Sequence, residues 1–446
     1  MAEKLPTAFG AKYALFVLFA VNLLNFFDRQ LLGSLAEPIR KEFHLSDTAL
    51  GLLTTVFVIV YAIVGLPLGQ LSDRGRRTRL IAISVAVWSA LTAITGLAQN
   101  YVQLFAARLG MGLGEAACAP AGQSLIGDLF PPGRRTFAMG VFMLGLPAGV
   151  FAAFASAGWI ATHFGWRAVF YIAGIPGFIF ALLALLIREP ARGGLDSGRV
   201  LTTGTTSPTA AFASVLRLPT MWWIILSGIF HNCNMYAINY FNTPLLQRYH
   251  HMSLAAASNA SSIAVGAVGA IGLLAGGLIA DRMSARQRNG RLVLAALCMS
   301  IAAPCIFFAI NQPPGSITPY IVLMSLATIT MYVYYATVYA AIQDVIEPRL
   351  RGMAVAIYFC GMYIFGASVG PVGTGILSDH FAHAAMLHAG ALEMTEAFKA
   401  TGLHDAMYAT PILAAAAALV LFAASRTLEK DARKQESPPS RVPAPA

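Results

Sequence analysis

Four ionisable side chains stand where an otherwise apolar sequence leaves little room for water. Asp28 and Arg29 are neighbours in Asn22-Leu-Leu-Asn25-Phe-Phe-Asp28-Arg29, and Arg108 and Glu115 bracket Leu-Gly-Met-Gly-Leu-Gly. An ionised group at a bilayer centre costs at least about 2.5–3.5 kcal/mol on insertion scales, so such groups face a cavity or a partner. Seven helical residues turn through about 700°, which puts Arg108 and Glu115 on one face, roughly 10.5 Å apart along the axis. Asn22, Asn25 and Arg29 fall within about 60° of arc, flanked by Asp28. Two carboxylates and two guanidiniums form a neutral cluster, whose charge changes only when a carboxylate takes a proton. Burial and a nearby guanidinium act in opposite senses on a carboxyl's affinity for a proton. A guanidinium that moves away therefore lets a carboxylate load a proton on one side of a membrane and release it on the other. Asp28 and Glu115 are the expected proton-coupling carboxylates, and Arg108 the switching partner. The alternative is a static ion-pair network pinning the two segments together. Arg29 has three open roles: holding an anionic headgroup, pairing with Asp28, or reaching toward an interface.

A second polar set lies further along the chain. His231, Asn232, Asn234, Asn239 and Asn242 occupy about 160° of one helix, a face too polar for lipid and expected to line a cavity. His231 has two equal readings, a packed structural histidine or a substrate contact. Tyr332, Tyr334, Tyr335 and Tyr339 form an aromatic group on another segment. Some are expected to face the cavity, although packing is the commoner role of such spacing. The expected substrate contacts are Arg29, Asn25, His231, Asn234, Asn239 and Tyr335. No CxxC or Cys/His ligand spacing is present, and His380, His383, His388 and His404 are not expected to bind metal. The sequence has neither the nucleophile elbow G-x-S-x-G nor a P-loop. No enzyme activity, metal or cofactor is therefore expected, and ATP is not the expected energy source.

The elements that must position these residues are membrane helices. Hydrophobic residues make up 57% of the chain and charged residues 11%, against about 25% charged in soluble domains. The apolar runs do not alternate as outer-membrane strands do. Twelve spans are expected, near 14–34, 49–71, 78–98, 102–125, 137–160, 166–187, 220–245, 257–280, 291–311, 318–343, 351–378 and 404–424, most reaching the roughly 20 residues a bilayer helix needs. With both termini cytoplasmic, Lys and Arg divide as 23 in the tails and loops of that side, 5 in the opposite loops and 2 inside spans (Arg29 and Arg108). That asymmetry is the positive-inside pattern. It accounts for most of the net charge of +10, so nucleic acid is not an expected partner. The first span has Lys4 and Lys12 ahead of it and small residues at Ser34–Ala36. It is read as a retained span rather than a cleaved signal, because the charged pair interrupts its apolar run. The five cysteines all fall in spans, so no disulfide framework is expected. The expected organisation is a first bundle over 1–190, a cytoplasmic linker over 191–216, a second bundle over 217–426 and a disordered tail over 427–446, Pro-rich at its end.

The two halves repeat. Gly69-Gln-Leu-Ser-Asp73-Arg74 near the end of span 2 matches Gly277-Leu-Ile-Ala-Asp281-Arg282 near the end of span 8. Asp128-Leu-Phe-Pro-Pro132 with Arg135 matches Asp344-Val-Ile-Glu-Pro348 with Arg351, and Pro147-Ala-Gly149 matches Pro371-Val-Gly373. Two similar six-helix bundles can rock about a central site and expose it to each side in turn. Asp73 can pair with a cation or a helix N-terminus on the other bundle, and Arg74, Arg76, Arg77 and Arg79 can meet anionic headgroups. The plain alternative is a solvated basic loop. Gly69, Asp73, Arg74, Arg77, Asp128, Arg135, Asp281 and Arg282 are the expected gating residues.

Gly69-Gln-Leu-Ser-Asp73-Arg74-Gly-Arg-Arg77-Thr-Arg79 resembles the loop signature of the major facilitator superfamily, and the resemblance covers nearly the whole chain. Asn25-Phe-Phe-Asp28-Arg29, Arg108-Leu-Gly-Met-Gly-Leu-Gly114-Glu115-Ala116 and Asp128-Leu-Phe with Arg135 resemble the spinster-type lipid transporters within it. The resemblance implies an all-α integral membrane protein of twelve transmembrane helices in two pseudo-symmetric bundles. It implies the same coupling roles for Asp28, Glu115 and Arg108, and a part for Asp73 in latching the cytoplasmic side closed. It also implies lysolipids, sphingoid phosphates or related amphiphiles as substrates, whereas the residues alone support only a cavity with apolar walls and a few charges. The expectation is a proton-coupled, monomeric carrier in a bacterial inner membrane, in contact with membrane lipids. One alternative is a carrier of a small organic anion or drug-like amphiphile; another is a membrane receptor without turnover. A large apolar cavity continuous with the membrane favours lipid, and a compact pocket centred on Arg29 or Arg108 favours a small anion.

Overall fold

The computed structural model describes residues 8–192, 208–347 and 350–436, and all regular structure among them is helical. Twelve spans form two bundles of six. Span 1 is Ala8–Ser34, span 2 Asp47–Arg74, span 3 Arg77–Thr95, span 6 Trp166–Leu185, span 7 Pro219–Arg248, span 9 Gly290–Ile310 and span 10 Ile317–Val345. The other five are interrupted. Span 4 is Tyr101–Glu115 then Cys118–Leu129, span 5 is Pro132–Met143 then Gly145–Phe164, and span 12 is Glu396–Met407 then Ala409–Glu436. Span 8 joins Leu254–Ser261 to Gly269–Arg286 through a π-helical turn at Ser262–Ala267, and span 11 joins Arg351–Gly361 to Val369–His388 through another at Met362–Ala367. By length and apolarity ten segments qualify to cross a membrane. Spans 4 and 7 do not. Span 4 breaks after Glu115 into helices of 15 and 12 residues, and span 7 is diluted by His231 and its asparagines. These two spans carry five of the nine expected coupling and substrate residues, namely Arg108, Glu115, His231, Asn234 and Asn239.

The expected linker and tail are more ordered than the sequence suggested. Pro208–Leu216 is a helix inside the linker, and residues 193–207 lie outside the described part. Span 12 continues to Glu436, past the point at which a tail was expected to begin. Asp431 explains the extension. It is buried, and its Oδ2 accepts from the backbone N–H of Thr220 at 3.0 Å and from Thr220 Oγ1 at 2.7 Å. The carboxylate thus satisfies otherwise orphan donors at the start of span 7. The remaining tail, 437–446, lies outside the described residues.

The duplication is visible in packing. A Cβ at Gly149 of span 5 would run into the Leu23 carbonyl oxygen and sit 2.9 Å from Phe27 N of span 1. In the second half Gly370, not the sequence-matched Gly373, takes this role, against Cys233 of span 7. On the face where span 1 begins and span 12 ends, here the terminal face, each bundle has an arginine clasp. Arg77 pairs with Asp128, donates from Nε to Glu189 Oε1 at 2.7 Å and from Nη1 to Ser124 Oγ at 2.9 Å. Arg291, at the matching start of span 9, pairs with Asp344 and reaches Asp281 Oδ1 at 3.3 Å. Asp128, Asp281 and Asp344 therefore serve their own bundle, through two arginines that the repeat itself did not identify.

On the opposite, distal face the bundles meet. Tyr240 donates to the Leu50 carbonyl at 2.8 Å, Ser34 and Ser258 share a hydrogen bond of 2.7 Å, and Thr55 donates to the Ser368 carbonyl at 2.5 Å. An apolar core shared by both bundles runs through Leu31, Leu35 and Leu50 to Leu246, Ala257 and Val265. The terminal half of the first bundle has a separate core around Trp88, Leu125 and Phe142. The cross-bundle contacts thus cluster at one end of the molecule.

Two stability outcomes follow. Arg77 is 1% exposed, and Arg77→Ala takes a buried guanidinium from the half-buried carboxylates of Asp128 and Glu189, at a cost of about 3 kcal/mol. Arg291→Ala, at a more open clasp, costs about 1 kcal/mol or less. Thermal unfolding in detergent should rank them in that order. The second outcome concerns Glu37, in the short distal helix Ala36–Phe43 between spans 1 and 2. Burial opposes its charge, but Arg248 and Arg40 bring its carboxyl down from 4.5 to about 2. A depressed carboxyl contributes its stability fully above the unfolded value and loses it as pH falls through the folded one. Melting temperature should therefore lack any Glu37 contribution to its slope between pH 8 and 5, and an acid limb below about pH 4.5 should flatten in Glu37→Gln.

Candidate functional site

Span 1 brings its polar face against spans 4 and 5. Asn22 Nδ2 donates to the Phe142 carbonyl of span 5 at 2.8 Å, one turn before Asn25 turns toward span 4. Asn25 Nδ2 donates to Glu115 Oε2 at 2.8 Å, and Arg29 Nε donates to the same oxygen at 2.9 Å. Glu115 is fully buried and the Arg29 side chain is 4% exposed. The Arg29 guanidinium also lies 4.3 Å from the ring centre of Tyr61, 5.1 Å from Phe26 and 5.2 Å from Phe57. Rings at such distances attract a cation through their negative faces. The structure pairs Arg29 with Glu115 of span 4 rather than with Asp28.

Arg108 and Glu115 share a face of span 4 as the spacing requires, yet they are not paired. Side chains on a helix lean toward its N-terminus. Arg108 precedes Glu115 by two turns and so leans away from it, while Arg29 approaches Glu115 laterally from span 1. Arg108 Nε and Nη2, Arg29 Nη2, Glu115 Oε1 and Asp28 Oδ1 have no hydrogen-bond partner among the described residues. Asp28, 2% exposed, faces Trp88 and Thr92 of span 3, with the charges of Glu115 and Arg108 nearby.

Both guanidiniums border one cleft. Arg29, Gln30, Arg108 and Asn239 supply its polar lining, with Thr54, and Leu53, Phe57, Tyr236 and Tyr240 complete its walls. The space between these atoms amounts to about 370 Å³, part of it open to solvent. Span 7 contributes Tyr236, Asn239 and Tyr240, so the cleft lies between the bundles, beneath the Tyr240–Leu50 contact.

The expected residues divide clearly. Arg29, Arg108 and Asn239 line the cleft, and Asn25 holds Glu115 behind it. Asn239 Oδ1 is also without a partner. His231 does not line the cleft; it stacks on Tyr334 at 3.9 Å and meets Tyr335 edge-on at 5.0 Å. Asn234 is buried near Met331 Sδ, at 4.0 Å. Tyr335 is half-buried within the tyrosine group, its ring 5.9 Å from those of Tyr332, Tyr334 and Tyr339. Sequence reasoning missed Gln30, Thr54, Phe57, Tyr236 and Tyr240. Tyr236 and Tyr240 stand one helical turn apart beside Asn239, a spacing that could have found them. Among the expected gating residues, Arg77, Asp128 and Asp281 belong to the clasps. Arg135 Nε donates to the Phe130 carbonyl at 2.9 Å, Arg282 is exposed, and Gly69 has nothing within 4 Å of a Cβ. The side chains of Asp73 and Arg74 lie outside the described residues.

Residues 18–371 match the family model of the Major Facilitator Superfamily. An "MFS-type efflux pump" of Mycolicibacterium smegmatis (strain ATCC 700084 / mc(2)155) is 31% identical over 81% of this chain and 83% of its own length. A "Probable L-galactonate transporter" of Escherichia coli (strain K12) is 27% identical over 82% of this chain and 83% of its own. The crystal structure of a bacterial homologue of the human lysosomal transporter spinster, in an inward-facing and unoccupied conformation, superposes with a TM-score of 0.84 at 28% identity, covering 95% of this chain and 99% of that one. Two six-helix bundles, a charged cleft between them and a family match over most of the length lead to one conclusion: the chain belongs to the Major Facilitator Superfamily, as a multi-pass membrane transporter resembling the spinster proteins and not an enzyme.

Proposed function

We propose that this transporter carries an amphipathic organic anion together with a proton, by alternating access to the cleft between its bundles. The observation that carries the reading is the pair of buried guanidiniums, Arg29 and Arg108, with unused donors over one cleft. A buried donor left unsatisfied costs about 1–3 kcal/mol, more when charged. A carboxylate or phosphate supplies charge-assisted acceptors of matching geometry. Leu53, Phe57, Tyr236 and Tyr240 offer an apolar body something to lie against. A lysolipid or sphingoid phosphate has both parts, and the likeness to spinster supports that class.

Charge balance supplies the coupling. Asp28, Glu115, Arg29 and Arg108 together are neutral when all are ionised. An anion bound among them leaves one uncompensated negative charge in a membrane interior, which a proton on Asp28 or Glu115 removes. Anion and proton therefore move in the same direction. Arg29 now holds Glu115, so the exchange proposed for Arg108 takes the form of competition: Arg108 engages the substrate anion in this arrangement, and Glu115 when the bundles rock. The excess of Lys and Arg at the terminal face supports a cytoplasmic placement of that face, in a bacterial inner membrane. The chain acts as a single copy, with lipid around it.

A second reading rests on size. A narrow cleft centred on two arginines suits a small polyhydroxy acid, and the relative named as a probable L-galactonate transporter supports that class.

Liposomes loaded with a pH-sensitive dye distinguish these readings when challenged in turn with a lysolipid, a sphingoid phosphate and a sugar acid. Acidification of the lumen that depends on one of them, and is lost in Glu115→Gln and Asp28→Asn, is the expected result. Uptake without proton movement would rule out the coupling. Arg108→Gln should weaken the response by roughly tenfold or more, the loss of one charge-assisted contact. A response to the sugar acid alone would select the second reading.

A further inference from the structure

Span 3 carries two buried donors that no protein atom takes up. Trp88 and Thr92 stand one helical turn apart and are fully buried, yet Trp88 Nε1 and Thr92 Oγ1 have no hydrogen-bond partner among the described residues. Both depart from what the same residue types do elsewhere in the chain. An indole N–H ordinarily finds an acceptor when buried, and those of Trp166 and Trp222 have one. A threonine inside a helix can return its hydroxyl to the carbonyl four residues back, as Thr95 does to Leu91 at 2.8 Å; Thr92 does not. Their common neighbour is Asp28 of span 1, whose Oδ1 is unpartnered as well. The charged groups that also face Asp28 are Glu115 and Arg108 of span 4, with Arg29 bonded to Glu115.

The duplication supplies an internal comparison. Counted from the matched arginines Arg77 and Arg291, Trp88 and Thr92 fall on Ala302 and Ile306 of span 9. Spans 7 and 9, the counterparts of spans 1 and 3, contain no aspartate or glutamate. Ala302 and Ile306 are buried in an apolar core. Alanine and isoleucine therefore meet the packing needs of these positions, and polar donors stand there only in the bundle whose first span carries a carboxylate.

We propose that Trp88 and Thr92 are positioning residues for proton exchange at Asp28, the indole N–H favouring the carboxylate and the threonine hydroxyl serving both the carboxylate and the acid. The division follows from what each group can do. An indole N–H only donates, whereas a hydroxyl donates to an ionised carboxylate and accepts from the O–H of a protonated one. Hydrogen bonds made to the charged form favour that form. Closure of both donors on Asp28 therefore accompanies release of its proton to water, and their standing off accompanies its uptake. The inference rests on the coupling role proposed for Asp28, and not on the identity of the substrate.

Infrared difference spectra of the full chain in detergent, recorded between about pH 4 and 10 without substrate, test it. The carbonyl band of a protonated acid that is missing in Asp28→Asn identifies Asp28. In Trp88→Phe the pH at which that band is half lost should rise by about one unit, a tenfold gain in proton affinity. In Thr92→Val the midpoint should rise too, and the band should move to higher wavenumber because the acid has lost a partner; Thr92→Ser should restore both. Ser89→Ala is the control. Its Oγ points at Gly177 of span 6, where a Cβ would fall 1.7 Å from it, and both readouts should stay at their wild-type values. A role in packing alone would leave the Asp28 band in place. Should Trp88→Phe fail to fold, Thr92→Val and its serine rescue carry the test. Wild-type midpoints and band positions in the variants that fold would overturn the proposal and leave coupled uptake in liposomes untouched. The lack of any band that depends on Asp28 would overturn it as well. Shifted midpoints beside uptake without proton movement would uphold the proposal and remove the coupling.

Discussion

A carboxylate and a guanidinium inside a bilayer must find each other or find water, and the bond of Arg29 to Glu115 is where this protein meets that requirement. Glu115 Oε2 takes two donors from span 1, which fixes the rotation of span 1 against span 4. Asn22 fixes the same helix against span 5, and Gly149 lets span 5 come close enough for that bond to form. The aromatic rings of Phe26, Phe57 and Tyr61 then cover the part of the guanidinium that Glu115 does not reach. Donors of Arg29 and Arg108 remain unsatisfied, and both residues border the space between the bundles. The cleft is polar because the ion pair is incomplete.

Electrostatics are distributed unevenly along the molecule. Near the terminal face the charges close on themselves within each bundle, through Arg77 in one and Arg291 in the other. Near the distal face they cross between bundles, through Arg248, Arg40 and Asp379. Arg40 joins Glu37 of its own helix to Glu396 of the second bundle. Intra-bundle bonds survive a rigid-body motion and inter-bundle bonds do not. The clasps therefore make each bundle a unit that can move.

Much of this was legible beforehand because it depends on local rules. Ten of the twelve spans follow from hydropathy and bilayer thickness, and the duplication from matching stretches such as Gly69–Arg74 and Gly277–Arg282. Asp28, Arg29, Arg108 and Glu115 stood out because an ionised residue in an apolar run is costly. Asn239 was found by its helical arc. His231 lay on the same arc but turned to stack on Tyr334, since an arc does not say which neighbour covers it. Span 12 outlasted its expected end because Asp431 finds Thr220, a contact between residues about two hundred positions apart.

The sequence alone determined which residues are charged, which helix carries each and which side of that helix each occupies, since helical period and hydropathy are properties of the local chain. Pairing was decided only in three dimensions. Spacing offered Arg108 as the partner of Glu115, but the lean of side chains along a helix and the lateral approach of span 1 gave that place to Arg29. The same holds for Asp128 with Arg77 and for Asp379 with the start of span 2. A salt bridge depends on distances of a few ångströms between separate helices, and those distances are set by how glycine and small-residue contacts let the helices pack, not by any period within one of them.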